Sequence, residues 1–187
     1  MVRVSFIGNW WAKRDLMARI PDLRLPTDPV AVQEQNKADW NQARAGGADF
    51  YTVGYTRRHI DSFLAVLSDA GVETVIDVRH TAVSMYRPEF SKSNLTQHLA
   101  GVGISYLHLP KLGVPRDIRG KASGHDSRDV IWEWYDEHVI PTLTLHEFFN
   151  WADHPVAFLC TEFDPTSCHR HRLALELERH GLRGRDL

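Results

Sequence analysis

From Phe50 onward the chain repeats one unit, a short apolar β-prone run followed by a stretch at helical spacing, and this alternation limits its fold more than any other feature. Phe50-Tyr51-Thr52-Val53 ends at Gly54, and Ile60, Phe63, Leu64 and Leu67 then recur with a helical period before Gly71. Thr74-Val75-Ile76-Asp77-Val78 reads as a second, buried strand, followed by a polar, proline-containing loop and a short helix carrying Leu95, Leu99 and Val102. Ile104-Ser105-Tyr106-Leu107-His108 makes a third strand. A long loop from Lys111 to Arg128 leads to helical segments at Trp132, Trp134 and Tyr135 and from Leu143 to Trp151. Pro155-Val156-Ala157-Phe158-Leu159 is the next buried strand, and Leu173, Ala174, Leu177 and His180 mark an amphipathic helix that Gly181 ends. Strands alternating with helices pair in parallel through right-handed crossovers. The expected fold is therefore an α/β three-layer sandwich with a mainly parallel sheet, whose ligands bind beyond the strand carboxyl ends.

Residues 1–48 break this pattern. Arg3-Val4-Ser5-Phe6-Ile7 reads as an edge strand, but Ile20 to Val30 holds three prolines and Gln33 to Gly47 is polar and alanine-rich. The expected organisation is an amino-terminal extension over 1–48, serving as edge strand, arm or lid, and an α/β domain over 49–187. Trp10 and Trp11 need cover from the core or from a second subunit, which makes the extension a candidate homodimer contact. With 43% hydrophobic and 25% charged residues the composition is ordinary for a globular domain, and a net charge of -2 argues against a nonspecific polyanion binder as a whole. A local basic patch from Arg57, Arg58, Arg79, Arg87, Arg170 and Arg172 stays open. Two cysteines close in sequence suit a reducing compartment, so the expected location is cytoplasmic. Met1 to Trp11 lacks an export signal, and no segment approaches the roughly 18 apolar residues of a membrane span, so no membrane partner is expected.

Chemistry concentrates between Cys160 and Arg170, where both cysteines, Glu162, Asp164, His169 and Arg170 share one strand-to-helix junction. Unpaired N–H groups and the helix dipole make such a junction electropositive, which favours bound anions and lowers a thiol's pKa. A phosphatase-type loop needs arginine at the sixth position after its cysteine, and here those positions hold Thr166 and Ala174. A thioredoxin-like pair needs two intervening residues, whereas seven separate Cys160 from Cys168. Zinc from Cys160, Cys168 and His169 or His171 has suitable ligand types but not the close paired spacing of ribbons and fingers. No cofactor and no metal are therefore assigned, with zinc kept as the alternative. What stays is Cys168 as a lowered-pKa thiolate, Glu162 as proton acceptor, and Arg79 or Arg170 stabilising an anion. Cys160 can equally be a packed core thiol, and His169, on the face of Leu173 and Leu177, a hydrogen-bonded core histidine.

Further motifs stand at the other strand ends. Gly54 permits an unusual backbone angle and Thr56 can cap the helix near His59, so Gly54, Tyr55, Thr56 and Arg57 form a candidate anion-binding turn. Asp77 and Arg79 can point to the same side, as an ion pair or as ligand contacts. His108 closes the third strand, and with His98, His125, His138, His146 and His154 it is one of a dispersed set without ligand spacing. Tyr86 and Arg87 either stack a ring or pack on the domain, and one of Trp132, Trp134 and Tyr135 is expected to border the cleft.

Thr52-Val53-Gly54-Tyr55-Thr56, Val75-Ile76-Asp77-Val78-Arg79, Tyr106-Leu107-His108 with Leu112-Gly113, Leu159-Cys160-Thr161-Glu162 and Cys168-His169-Arg170 follow one another in an order and spacing that resemble the domain of unknown function 488 family. The resemblance runs from about Phe50 to Gly181. It implies a compact α/β domain whose shared polar residues cluster near the cysteine motif, and no established general activity. The functional expectation is an enzyme acting on a phosphate-bearing small molecule, nucleotide or nucleic-acid base. Its catalytic residues are Cys168, Glu162, Asp77 and Arg79, and its ligand contacts Gly54, Tyr55, Thr56, Arg57, His108, Cys160, His169 and Arg170. The alternatives are a noncatalytic nucleotide or nucleic-acid binding module and a metal-dependent regulator.

Overall fold

The structure, a computed structural model, describes residues 38, 47–121, 127–144 and 155–187. The expected edge strand, the tryptophan pair and most of the Leu143–Trp151 helix lie outside these residues. Five parallel strands form one sheet in the order β3-β2-β4-β1-β5, with β1 Phe50–Gly54, β2 Thr74–Asp77, β3 Ser105–His108, β4 Val156–Cys160 and β5 Gly184–Asp186. Helices α1 Ile60–Asp69 and α2 Lys92–Gly101 follow β1 and β2. α3 Arg116–Lys121 and α4 Ser127–His138 precede β4, and α5 His169–Arg179 links β4 to β5. Among the described residues no helix is long and apolar enough to cross a membrane.

Handedness explains the layers. The chain steps from β1 to β2 to β3 in one direction across the sheet and returns through β4 to β5 in the other. Right-handed crossovers then put α1 and α2 on one face and α4 and α5 on the opposite face. Each face has its own core: Phe63, Leu67, Leu95 and Leu99 on the α1/α2 side, Tyr135, Val139, Leu173 and Leu177 on the other. β4 feeds both, sending Val156, Phe158 and Cys160 one way and Ala157 and Leu159 the other, which is why a continuous apolar run was needed there. It also stands between two strands whose following helices leave on the opposite face. The crevice beyond its carboxyl end is thus a topological switch point, where sheets of this kind place ligands.

Two elements depart from the sequence expectation. α3 interrupts the loop expected over Lys111 to Arg128, preceded by Pro115, a residue suited to the start of a helix because it has no N–H to leave unpaired. β5 carries Gly184, Arg185 and Asp186 rather than apolar residues, so hydrophobic pattern could not reveal it. It is held by parallel pairing to β1, and Asp186 is buried beneath it, accepting from Thr52 Oγ1 at 2.7 Å.

Candidate active site

Cys160 ends β4, Cys168 is the N-cap of α5 and His169 is its first residue, so the chain between them folds back on itself. Asp164 fixes that fold, accepting from Thr166 N at 2.9 Å, Thr166 Oγ1 at 2.7 Å and Ser167 Oγ at 2.9 Å. The result brings His169 Nδ1 to 3.8 Å from Cys160 Sγ and 3.9 Å from Cys168 Sγ, all three side chains being buried. His169 Nε2 lies 3.2 Å from the Val78 carbonyl oxygen, and the Tyr135 ring tilts against the imidazole at 5.3 Å. Glu162, half-buried, reaches Cys160 Sγ with Oε2 at 3.5 Å.

The electrostatics of this cluster overturn one expectation. Cys168 has the helix N-terminus and Arg170 in its favour, yet burial, with Cys160 alongside, pushes its thiol up to about 11. Desolvation outweighs the dipole, and a lowered thiol pKa is not what this position supplies. Burial likewise raises the Glu162 carboxyl, to about 7. Burial pulls His169 down, but its contacts with Cys168, Glu162 and the Val78 carbonyl outweigh that effect and leave it above its ordinary value.

Arg170 does not point into the cleft. It is fully buried behind the junction, where NH1 donates to the Glu162 carbonyl at 2.6 Å, NH2 to the Phe163 carbonyl at 3.1 Å and NH2 to Asp186 Oδ1 at 3.3 Å. Gly54 backs onto the same peptide: a Cβ there would lie 1.8 Å from the Glu162 carbonyl oxygen. Its lack of a side chain serves close approach of two backbones, and the left-handed angle expected nearby belongs to Arg57, exposed with φ 66. Thr56 does not cap α1, whose N-cap His59 has no side-chain bond; both its N–H and its hydroxyl donate to the Thr161 carbonyl, at 3.0 and 2.8 Å.

The sheet separates the remaining candidates from this cluster. Asp77 and Arg79 are a buried ion pair on the α1/α2 side, with Arg79 NH2 2.5 Å from Asp77 Oδ2. Tyr106 donates to the same carboxylate oxygen at 2.6 Å, Arg79 NH2 to the Phe90 carbonyl at 2.9 Å, and the guanidinium lies over the Tyr55 ring at 5.2 Å. Tyr55 in turn stacks on Phe90 at 4.5 Å, and His108 Nε2 donates to the Arg79 carbonyl at 2.8 Å. These contacts tie the Asp77–Phe90 loop to the sheet, leaving neither charged group turned toward the cysteines. Arg87 spans Glu89 and the Arg58 carbonyl, whereas Tyr86, 95% exposed, does not pack on the domain.

The cluster opens instead onto a cavity of about 80 Å³ between α3, α4 and the start of α5. Glu162, Ser167, Cys168 and His169 lie on one side, Val114, Ile131 and Trp132 close it, and the exposed Arg119 and Arg128 stand at its rim. Trp132 is thus the aromatic residue bordering the cleft; Tyr135 is buried and donates its hydroxyl to the Leu112 carbonyl at 3.0 Å. The two rim arginines escaped the sequence reading because their segment looked like an unstructured polar loop. The helix start at Pro115 was the signal that could have exposed Arg119.

Comparison with curated proteins and with solved structures yields no match. A family model described as Domain of unknown function DUF488 matches residues 59–177, more than half of the chain and most of the sheet with the cysteine junction. Five parallel strands between two helical layers agree with what the motifs implied, and the chain belongs to the DUF488 family.

Proposed function

We propose that the protein is an enzyme acting on a small molecule or nucleotide that bears a phosphate or a like anion, in a reducing, cytoplasmic setting. The observation that carries this reading is the pairing, around one cavity, of two rim guanidiniums with a floor of carboxyl, thiol and imidazole groups. Arg119 and Arg128 come from different helices, so they can grip separate oxygens of one anion without sharing a backbone segment. Trp132 on the wall offers a flat apolar face for a ring. The cavity has several times the room one water needs, enough for the reacting group, while the rest of a nucleotide would lie across the rim. Glu162 is the proton carrier in this reading. Arg79 and Arg170, engaged with Asp77 and Asp186, give up the anion-stabilising role to the rim pair.

The test uses the full chain with inorganic phosphate, nucleoside mono-, di- and triphosphates, and the matching neutral nucleosides, read by calorimetry and by product analysis. Phosphate-bearing ligands are expected to bind in preference to nucleosides, and Arg119→Ala with Arg128→Ala to weaken that binding by about tenfold or more. Glu162→Gln should leave binding intact and cut turnover by about 100-fold. Equal affinity for nucleosides and nucleotides, unaffected by loss of both arginines, would refute the anion site. Binding without any turnover would assign the cavity to a binding module instead.

A further inference from the structure

We infer that Cys160, Cys168 and His169 form a site for a zinc-class divalent ion, held by both Sγ atoms and by Nδ1, with its fourth position turned toward Glu162 and the cavity. The inference does not depend on the anion-binding reading. One ligand atom from each residue lies within 4.8 Å of the others, and all three side chains are buried.

The tautomer of His169 is the decisive point. A carbonyl oxygen only accepts, so Nε2, 3.2 Å from the Val78 oxygen, must carry the ring proton in the neutral imidazole. That leaves Nδ1 without a proton and near both sulfurs, 3.8 Å from Cys160 Sγ and 3.9 Å from Cys168 Sγ, with Cys160 Sγ also 4.0 Å from Nε2. These separations are long for thiol hydrogen bonds to a ring nitrogen. They are within a few tenths of an ångström of the roughly 3.5 Å that separates sulfur and nitrogen around a tetrahedral zinc with Zn–S near 2.3 Å and Zn–N near 2.0 Å. A ligating histidine characteristically donates its other ring N–H to a backbone carbonyl, which fixes the ring and strengthens the nitrogen as a ligand. Val78 fills that part here.

Charge balance favours the same conclusion. An ion with two positive charges entering the cluster displaces the two thiol protons to solvent, leaving two thiolates, one neutral imidazole and one divalent cation with no net charge. A neutral assembly suits a buried site far better than a lone thiolate would. Thiolate and imidazole donors together select zinc over magnesium or calcium, which want oxygen. Each donor also sits on rigid backbone: a strand end, an N-cap and the first helical residue, with Asp164 bracing the turn between them. Three protein ligands and an open position beside a carboxyl is the arrangement of a zinc that works on a ligand rather than one that only staples a fold.

Untagged full-length protein is expected to retain about one zinc per chain through dialysis and to show both thiols reactive only after a chelator strips the ion. Cobalt in place of zinc should give the intense sulfur-to-cobalt charge-transfer absorption of thiolate ligation. Cys160→Ser, Cys168→Ser and His169→Ala should each abolish that absorption, and Glu162→Gln should keep it. Because a serine variant can lose the ion by unfolding, the deciding measurement is on the unaltered chain, stripped, shown by circular dichroism to stay folded, and titrated with cobalt. Absence of the thiolate band there, or thiols equally reactive before and after chelation, overturns the site. So does loss of metal in Glu162→Gln as complete as in the cysteine variants, which would contradict the three-ligand assignment. Metal retained by a protein that binds no phosphate refutes the anion site alone, and phosphate binding by a protein that takes no metal refutes this one alone.

Discussion

Arg170→Met is expected to lower the free energy of unfolding by roughly 3–5 kcal/mol, the usual cost of removing one partner from a buried ion pair. The guanidinium is fully buried, meets the fully buried Asp186 and donates to two carbonyls of the Glu162–Phe163 segment. Methionine fills much of the volume but supplies none of those donors, leaving a carboxylate and two peptide oxygens in the core without the group that faced them. A urea titration reads the effect as a fall in midpoint at unchanged slope. Adding Asp186→Asn should recover part of the loss, because it removes the stranded charge, and the recovered part measures the coupling between the two. A single-variant cost below about 1 kcal/mol would mean that water reaches this pair, contrary to its burial.

Gly54→Ala is the second large effect, about 3 kcal/mol or more, at the upper end of what overpacking costs. The added methyl would stand 1.8 Å from the Glu162 carbonyl oxygen and 2.6 Å from its carbon, both backbone atoms. Gly54 is paired in register with Cys160, so relief requires either β1 to leave β4 or the Thr161–Phe163 segment to move outward. The second movement displaces Glu162, and on the proposed catalytic reading the variant should then lose turnover beyond what its stability loss explains. The oxygen Gly54 abuts is the one Arg170 holds from the other side, so the two substitutions should combine non-additively. A variant as stable and active as the parent would show that this segment moves freely.

Where burial is governed by period, the sequence was readable. Ile60, Phe63 and Leu67 announced α1, and the run from Val156 to Leu159 announced a strand covered on both faces. The placing of the Cys160–Arg170 segment between the carboxyl end of β4 and the start of α5 followed from the same pattern. What the sequence could not say was on which face of the sheet each polar residue would stand. Asp77 and Arg79 look like cleft residues in one dimension, yet they pair with each other and bond to Tyr106 and the Phe90 carbonyl on the far side. Nor could spacing tell that Cys160 and Cys168 lie near one another, because a seven-residue interval is close only once Asp164 has turned the chain back. The desolvation that raises Cys168 is a property of packing around it and leaves no trace in the residues beside it.

The position of β1 has a practical consequence for anyone isolating the domain. The family match begins at residue 59 and ends at 177, so a fragment trimmed to those limits would lack both β1 and β5. β1 is the neighbour of β4, and its removal would turn the most apolar strand of the sheet into a bare margin with unpaired N–H and C=O groups. Such a fragment should aggregate, and Cys160, at the end of that strand, would lose the Gly54 backbone beside it. The physical unit is therefore wider than the stretch by which it is recognised.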